Sequence, residues 1–182
     1  GGGFSVAVRD IELASDGKVI IGGRFLSFNG VSRTSVARLN TDGQLDNSFQ
    51  NNTVLADPST VYDVALQTDD KVIVGASFGP YSVTVRRFNS DATPDTGFAP
   101  IFSITGRVNK VLPLSDGKTL IGGEFPFFNG VKRNGLVRLN SNGTLDTGFV
   151  PYLNSDASQR SIIAIATQPD GKVLIGIAGV DQ

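Results

Sequence analysis

The 182-residue chain contains no cysteine, histidine, tryptophan or methionine. The missing cysteine removes disulfides and thiol nucleophiles, and the missing histidine excludes Ser-His-Asp and Cys-His catalysis and imidazole-metal sites. No apolar run approaches the roughly 18 residues that a membrane-spanning helix needs, so we expect no membrane insertion. The formal net charge is −1 and the basic residues are scattered. The chain therefore offers no basic patch for nucleic acid.

The chain also lacks an opening methionine, and no signal peptide is visible in its first ten residues, GGGFSVAVRD. We therefore expect it to be a piece of a longer or processed chain. What is present is ordinary for a globular protein, with 40% hydrophobic and 18% charged residues. This composition lets the chain bury a core.

Two signatures recur with a period of about fifty residues. The first, such as SDGKVIIGG, begins at Ser15, Thr68, Ser115 and, as PDGKVLIGI, at Pro169. The second, such as ARLNTDGQLDNSF, covers residues 37–49, 86–98 and 137–149. The pattern divides the chain into modules 4–49, 50–98, 99–149 and 150–182, the last of them incomplete. Repetition of this kind is typical of proteins built by stacking units.

Each module is rich in short β-branched and aliphatic runs separated by turns such as Asp-Gly and Asn-Gly. Such runs predict four short antiparallel strands per module and no helix. Repeated four-stranded units predict an all-β fold, a β-propeller fragment with about three and a half blades. The fragment would belong to a larger ring, and two copies would make seven blades. A β-solenoid also repeats, but its rungs are shorter, roughly 20 to 30 residues.

The order V-x-x-I-A-x-Q-x-D-G-K-V-L-I-G-G-x-F, then a loop with N-G, then A-R-L-N-x-D-G-x-L-D-x-x-F, resembles the bacterial delta-60 repeat family of predicted propeller modules. The matching positions are Gly22, Gly23, Phe25, Arg38, Leu39, Asn40, Asp46 and Phe49, and Gly122, Gly123, Phe125, Arg138, Leu139, Asn140, Asp146 and Phe149. The resemblance covers nearly the whole chain and implies secreted or surface-displayed bacterial proteins with no established shared activity. It does not imply an enzyme. Module two departs from the pattern at Asp70, Ala76 and Ala92, which predicts a different turn geometry there.

An arginine and an aspartate lie eight residues apart in every complete module. The three pairs are Arg38 and Asp46, Arg87 and Asp95, and Arg138 and Asp146. We interpret each pair as an arginine fork on a carboxylate that joins the third strand to the fourth element, with the aspartate also capping its own turn. A catalytic or metal site is usually built once, whereas a structural device recurs in every module. Repetition therefore favours a structural role.

Calcium is the alternative interpretation of the same turns. The candidate ligands are Asn40, Asp42 and Asp46 in module one, and Asn140, Asn142 and Asp146 in module three. Calcium needs about six to eight oxygen ligands, and the acidic spacing of a calcium loop is missing. The sequence therefore predicts no metal and no other cofactor.

Function is expected where the modules differ while keeping polar or aromatic character. We count back from the aspartate that opens each first signature, at positions 16, 69, 116 and 170, and call the positions six and seven residues before it the channel columns. The column six residues before is Asp10, Asp63, Lys110 and Ala164, and the column seven residues before is Arg9, Tyr62, Asn109 and Ile163. Because the first strand of a propeller blade lines the central channel, these columns predict an asymmetric polar mouth. Arg9, Asp10, Tyr62, Asp63, Asn109 and Lys110 are the candidate ligand-binding residues. The alternative is a solvated strand end.

Two further regions vary between the modules. The loop FLSFNGVSR and its copy FPFFNGVKR carry Phe28, Phe127 and Phe128. These rings either contact a ligand or pack over the edge of the blade. The connections between modules carry Phe102 and Tyr152, which either stack on a partner or pack locally. Two N-glycosylation sequons begin at residues 51 and 142, but so short a motif often occurs by chance.

These observations favour a non-enzymatic binding or adhesion module, extracellular or at the cell surface of a bacterium, with a protein or glycan partner. The alternative is an architectural part of a larger extracellular, envelope or phage assembly. A carboxylate-dependent glycoside hydrolase, which would depend on Asp10 or Asp63, comes last. The remaining blades would come from the parent chain or from another copy.

Overall fold

The structure is a computed structural model and describes residues 7–50, 59–78, 82–99, 106–153 and 161–179. All regular secondary structure in these ranges is β-strand, arranged in small antiparallel sheets. The predicted all-β class is therefore confirmed. Across these same ranges no helix is long and apolar enough to span a membrane.

Blades 1 and 3 share one layout. Each has a three-stranded sheet with its second strand in the centre, and a separate two-stranded hairpin lies in the sequence between the second and third strands of that sheet. Blade 1 consists of β1 (Ala7–Leu13), β2 (Val19–Arg24), β3 (Ser27–Phe28), β4 (Val31–Ser32) and β5 (Val36–Leu39). Blade 2 has three longer strands, β6 (Ser59–Leu66), β7 (Val72–Phe78) and β8 (Ser82–Phe88).

Blade 3 consists of β9 (Arg107–Pro113), β10 (Thr119–Glu124), β11 (Phe127–Phe128), β12 (Val131–Lys132) and β13 (Leu136–Leu139). Blade 4 is the hairpin of β14 (Ser161–Thr167) and β15 (Val173–Ala178). In blades 1 to 3 the fourth element pairs with the third strand through a single bridge: Leu39 with Leu45, Phe88 with Pro94, and Leu139 with Leu145. The pairing stops there because the next residues form a second turn, in which the Phe49 amide donates to the Asp46 carbonyl.

The turn between the first and second strands is closed by an aspartate side chain. Asp16 accepts a hydrogen bond from the Lys18 amide at 3.0 Å, and Gly17 has a φ of 82°. The same Asp-to-Lys bond recurs at Asp69, Asp116 and Asp170. A short side chain that accepts from its own backbone two residues on favours this turn, so the DGK signature encodes it locally.

The turns of blade 2 have the same geometry as the others, although Asp70 and Ala92 replace glycine. Their φ values are 59° and 69°, in the left-handed region. The Ala92 amide donates to the Asn89 carbonyl at 2.9 Å, as the Gly43 amide does to Asn40. The predicted difference in turn geometry is therefore wrong. Strand pairing imposes the left-handed backbone on whichever residue stands there, at a cost of about 1–2 kcal/mol for an ordinary side chain.

Three of the four hydrophobic clusters among the described residues lie between blades, and the fourth, around Ile21, Phe25 and Ala37, consists of blade 1 residues alone. Ile20, Val36 and Phe49 of blade 1 pack with Val61 and Val64 of β6, and all five are at most 1% exposed. Two more cores join blade 2 to blade 3 and blade 3 to blade 4. Each sheet therefore hides its faces by stacking on its neighbours, as in a propeller.

A glycine at the centre of the second strand lets the next blade come close. A Cβ added at Gly22 would lie 2.5 Å from Val64 and 2.7 Å from Val61. Gly75 and Gly122 hold the same position at the next two junctions, where the added Cβ would lie 2.6 Å and 2.7 Å from a side chain of the following blade. This column of glycines therefore sets the distance between blades.

The first strands lie together at the hub. β1 contacts β6, β6 contacts β9, and β9 contacts β14, while the second and third strands follow outward in each sheet. The channel columns, which lie on the first strands, are therefore brought to the inner edge of the blades.

The first and last blades carry faces that no described residue covers. Val8, Ile11 and Leu13 of β1 are 45%, 63% and 70% exposed, and Leu174 and Ile177 of β15 are 53% and 42% exposed. At the positions of Val8 and Ile11, the valines of blades 2 and 3 are at most 1% exposed. The exposed faces are therefore inter-blade faces.

Candidate functional site

Three turn clusters, one for each of blades 1 to 3, combine a lysine, an arginine and an aspartate. They are Lys18, Arg38 and Asp46; Lys71, Arg87 and Asp95; and Lys118, Arg138 and Asp146. In all three clusters the arginine Nε donates to the aspartate Oδ2 at 2.8 Å. The structure thus brings each sequence-predicted pair together and adds the lysine of the DGK signature.

The aspartate of each cluster also closes its own turn. Asp46 Oδ1 accepts from the Ser48 amide at 2.9 Å and the Ser48 hydroxyl at 2.6 Å, while its Oδ2 accepts from Lys18 Nζ at 2.9 Å and from Arg38. Burial raises the pKa of Asp46, but the hydrogen bonds from Ser48, Lys18 and Arg38 outweigh it and hold the pKa well below its usual range. The hydrogen bond from Lys118 and the one from Arg138 likewise lower the pKa of Asp146, to about 2.

The arginines of the turn clusters also join neighbouring blades. Arg38 Nη1 donates to the Ser90 carbonyl of blade 2 at 2.6 Å, and Arg87 Nη1 donates to the Ser141 carbonyl of blade 3 at 2.9 Å. The Arg138 side chain is 27% exposed, against 14% for Arg38 and 9% for Arg87. Among the described residues Arg138 bonds to Asp146 of its own blade and makes no corresponding bond to a neighbouring blade.

The turn clusters do not have the character of a calcium site. Both oxygens of Asp46 already accept hydrogen bonds, and Asp42 accepts the Gln44 amide at 2.9 Å. Asn142 makes the same turn bond to the Thr144 amide at 3.0 Å, which explains why an asparagine serves there. In the described part of the chain, no group of three or more His, Cys, Asp or Glu side chains is placed to hold a metal ion.

Two clefts lie between blades on the side of these turns. One is lined by Lys18, Arg38 and Asp91, and the other, one blade further on, by Lys71 and Arg87. They occupy equivalent positions and are lined by the turn clusters, so we attribute them to the repeated scaffold.

The channel columns contain a β-bulge in every blade. The pairing of the first and second strands shifts at Arg9, Tyr62, Asn109 and Ile163, which are the extra residues of the four bulges. A bulge re-aims the side chain that it carries. One of the two channel columns is therefore the bulge position of the repeat.

The other channel column joins the blades to each other. Asp10 accepts from the Val64 amide at 2.8 Å, and Asp63 accepts from the Val111 amide at 2.7 Å and from Lys110 Nζ at 2.5 Å. At the third junction the bond comes instead from the bulge column, where Asn109 donates to the Ser161 hydroxyl at 2.6 Å and to the Ile162 carbonyl at 3.0 Å. Four of the six predicted ligand-binding residues are thus engaged in bonds across blade junctions.

Asp63 is the buried member of this set, only 3% exposed. Burial raises its pKa to about 7, although the hydrogen bonds from Lys110 and the Val111 amide act in the opposite direction. Burial acts to lower the pKa of Lys110, but its bond with Asp63 outweighs this and raises it above the usual value.

Arg9 and Tyr62 take part in a different arrangement, with Arg107 as a third member. The guanidinium carbons of Arg9 and Arg107 lie 5.1 Å and 5.0 Å from the centre of the Tyr62 ring. Both arginines are exposed and Tyr62 is half-buried, with the Ser77 hydroxyl 3.5 Å from its phenol oxygen. We call Arg9, Tyr62 and Arg107 the Arg–Tyr–Arg cluster. It unites blades 1, 2 and 3 at the hub.

Sequence reasoning missed Arg107. It stands nine residues before Asp116, whereas Arg9 stands seven before Asp16, so no single column contains both. The other modules place small residues at the Arg107 position: Ala7, Thr60 and Ser161. A lone large cation among small residues was the available sequence signal.

The remaining predicted residues divide between core and surface. Phe128 is 1% exposed and belongs to the core between blades 2 and 3, whereas Phe127 is 50% exposed. Tyr152 is 94% exposed. Phe102 and the sequon at residue 51 lie outside the described residues.

Comparison with solved structures supports the propeller architecture. The chain is similar to the extracellular domain assigned to a hybrid two component system, BT4673 from B. thetaiotaomicron, with a TM-score of 0.58 and 18% identity over 96% of this chain and 20% of that one. A second similarity, to puromycin hydrolase, has a TM-score of 0.38 and 14% identity over 91% of this chain and 32% of that one, and is too remote to carry an argument. The chain thus spans about a fifth and a third of the two structures.

Sequence comparison identifies the family. No curated protein matches the chain. A family model described as "Domain of unknown function (DUF5122) beta-propeller" matches residues 14–49, 67–98 and 114–149, which together are more than half of the chain. The three segments coincide with the repeated signatures and the turn clusters. The chain belongs to this DUF5122 β-propeller family.

Proposed function

We propose that the chain is a non-enzymatic binding module whose ligand site is the Arg–Tyr–Arg cluster at the hub. The observation that supports this proposal is that two exposed arginines from different positions of the repeat, Arg9 and Arg107, both lie about 5 Å from the ring centre of the half-buried Tyr62. A structural device of the repeat recurs at each junction, as the turn clusters do. Among the residues that the structure describes, the Arg–Tyr–Arg cluster occurs once, as expected of a binding site in a propeller channel.

We place this binding module on the bacterial exterior. The similar structure is an extracellular domain, and the delta-60 repeat resemblance implies secreted or surface-displayed proteins. A half-buried tyrosine flanked by two exposed arginines suits recognition of a glycan or a protein, since it combines an apolar ring with polar groups.

The hydrogen bonds of two hub carboxylates support a function without catalysis. Asp10 and Asp63, the two carboxylates nearest the hub on which a glycoside hydrolase would depend, accept backbone amides of the next blade. Carboxylates held in this way stabilise the junctions. A hydrolase needs one carboxyl group beside the scissile bond as acid and a second as base or nucleophile.

A panel of glycans and peptides tests the proposed site. We expect saturable binding of a defined member by the chain, and we expect Tyr62→Ala to weaken it at least tenfold. Tyr152→Ala is the matched control, because Tyr152 is 94% exposed and lies outside the cluster. Absence of binding, or equal loss in both variants, would contradict the proposal.

A second candidate function, an architectural part of a larger assembly, is favoured by the exposed inter-blade faces. Ile11 and Leu13 at one end and Leu174 at the other are more than half exposed. We propose that further blades, from the same polypeptide or from another copy, cover these faces. Uncovered strand faces of this kind favour association.

The mass of the chain in solution distinguishes the two sources of these blades. A stable dimer that Ile11→Asp dissociates would support closure by a second copy. A folded monomer would rule out that variant and leave further blades of the same polypeptide as the covering element.

A further inference from the structure

We propose that the Arg–Tyr–Arg cluster binds an anionic group, a carboxylate, sulfate or phosphate, of a small soluble ligand. This inference rests on the proposed function and specifies its ligand class. The cluster places two permanently charged guanidinium groups within about 10 Å of each other, because each lies about 5 Å from the same ring centre.

The two arginines have no carboxylate partner among the described residues. Ten ion pairs are formed there, and none of them involves Arg9 or Arg107. Near the hub, Asp10 is engaged by the Val64 amide and Asp63 by Lys110. Glu124 stands opposite Arg107 in the register of β9 and β10, but it forms no ion pair with Arg107. The positive charge of the cluster is therefore available to a ligand.

The geometry of the cluster favours an oxygen-rich anion over a neutral ligand. A guanidinium offers parallel N–H donors that match the two oxygens of a carboxylate, and it does so equally well for sulfate or phosphate. The ring of Tyr62 makes a cation–π contact with each guanidinium, which lowers the entropy lost when a ligand orders that side chain.

The third cation on the first strands does not share this property. Lys110 is paired with Asp63 at 2.5 Å. Among the cations of the first strands, the inference therefore concerns Arg9 and Arg107.

Titration calorimetry of the 182-residue chain at low ionic strength tests the inference with three probes: citrate, inorganic sulfate and inorganic phosphate. We expect at least one probe to bind saturably at one site per chain. Arg9→Gln and Arg107→Gln should each weaken that binding about tenfold or more, because each removes a charge-assisted hydrogen-bonding group. Lys172→Gln, which removes one positive charge from the exposed turn of blade 4, should change the affinity less than twofold.

Two further measurements keep the result interpretable. Arg9→Lys and Arg107→Lys keep the charge and should give intermediate affinities, while circular dichroism verifies that every variant is folded. Failure of all three probes to bind, or equal affinity in the two glutamine variants and the parent chain, would overturn the inference. If a neutral glycan binds in a Tyr62-dependent manner while the anions do not, the binding function stands and the ligand class is wrong.

Discussion

The turn clusters and the Arg–Tyr–Arg cluster both hold arginines beside aromatic rings, yet they are built in opposite ways. In the turn clusters, Arg38, Arg87 and Arg138 each lie 4.6–4.9 Å from a phenylalanine ring, and each is paired with an aspartate. In the Arg–Tyr–Arg cluster the arginines come from different repeat positions and lack a carboxylate among the described residues. The comparison teaches that arginine has a structural role where it recurs together with its aspartate, and we propose a binding role for the two arginines that lack such a partner.

The two channel columns show the same division within one strand. Asp10 and Asp63 accept amides across the junctions, while the residues just before them, Arg9 and Tyr62, are displaced by the bulge into the Arg–Tyr–Arg cluster. In blades 1 and 2, the bulge residue belongs to the candidate binding site and the next residue, an aspartate, stabilises the junction between blades.

The largest expected effect concerns Asp63 and its dependence on pH. The folded chain holds a proton on Asp63 up to its pKa of about 7, whereas the unfolded chain releases it near 3.8. Between these values the folded state binds more protons, so stability falls as pH rises. Relative to Asp63→Asn, which does not titrate, the parent chain should lose about 2–4 kcal/mol of unfolding free energy between about pH 4 and pH 7.

Urea unfolding of both chains at several pH values measures this difference. A difference that stays constant or grows with pH would show that Asp63 is ionised throughout and that Lys110 outweighs burial.

The next effect concerns the glycine column. Gly122→Ala should destabilise the chain by about 1–3 kcal/mol, because the added Cβ would lie 2.7 Å from Ile162 and Ile165 of blade 4. Gly176→Ala is the matched control: it holds the same position in blade 4, where the nearest atom is the Ala164 Cβ at 3.1 Å. We expect it to cost much less. Equal costs, measured by chemical unfolding, would mean that this position does not set the blade spacing.

A smaller effect is expected at the turn clusters. Asp46→Asn should cost about 1–2 kcal/mol at neutral pH, because it removes the charge that Lys18 and Arg38 share. The pKa of Asp46 is lowered by folding, so its contribution is present above about pH 4 and is lost as pH falls further. The gap between the two chains should therefore close in acid, opposite to the trend at Asp63. A gap that persists at low pH would contradict this account.

The smallest stability change in this series is a gain. Ala92→Gly should stabilise the chain by about 1 kcal/mol, since alanine holds a φ of 69° there at a steric cost that glycine avoids. The reverse change, Gly43→Ala at the equivalent position with a φ of 81°, should destabilise by a similar amount. Thermal unfolding of both variants measures the pair, and changes of the same sign would contradict the shared turn geometry.

The parts of the molecule that the sequence predicts are those set by nearby residues. The turn at Asp16 and the pairing of Arg38 with Asp46 depend on residues at most eight positions apart, so their repetition identifies them. The left-handed turn at Ala92 was mispredicted because strand pairing overrides the preference of a single residue.

The rest depends on how blades stack, which no single module encodes. The Asp10 side chain bonds to the Val64 amide, 54 residues away, and a backbone donor leaves no trace in the sequence. Arg107 reaches Tyr62 from a different repeat position, two residues before the bulge residue Asn109 of its own strand. The sequence therefore points to Arg9 and Tyr62 of the proposed site but not to Arg107.

Thermal unfolding of two double variants tests the central claim, that repeated arginines stabilise the fold and the unrepeated ones do not. Both variants, Arg38→Gln/Arg87→Gln and Arg9→Gln/Arg107→Gln, remove two positive charges. We predict that the first lowers Tm by at least about 5 °C and the second by no more than about 3 °C. An equal loss in both variants, or the larger loss in the Arg9→Gln/Arg107→Gln chain, would contradict the account.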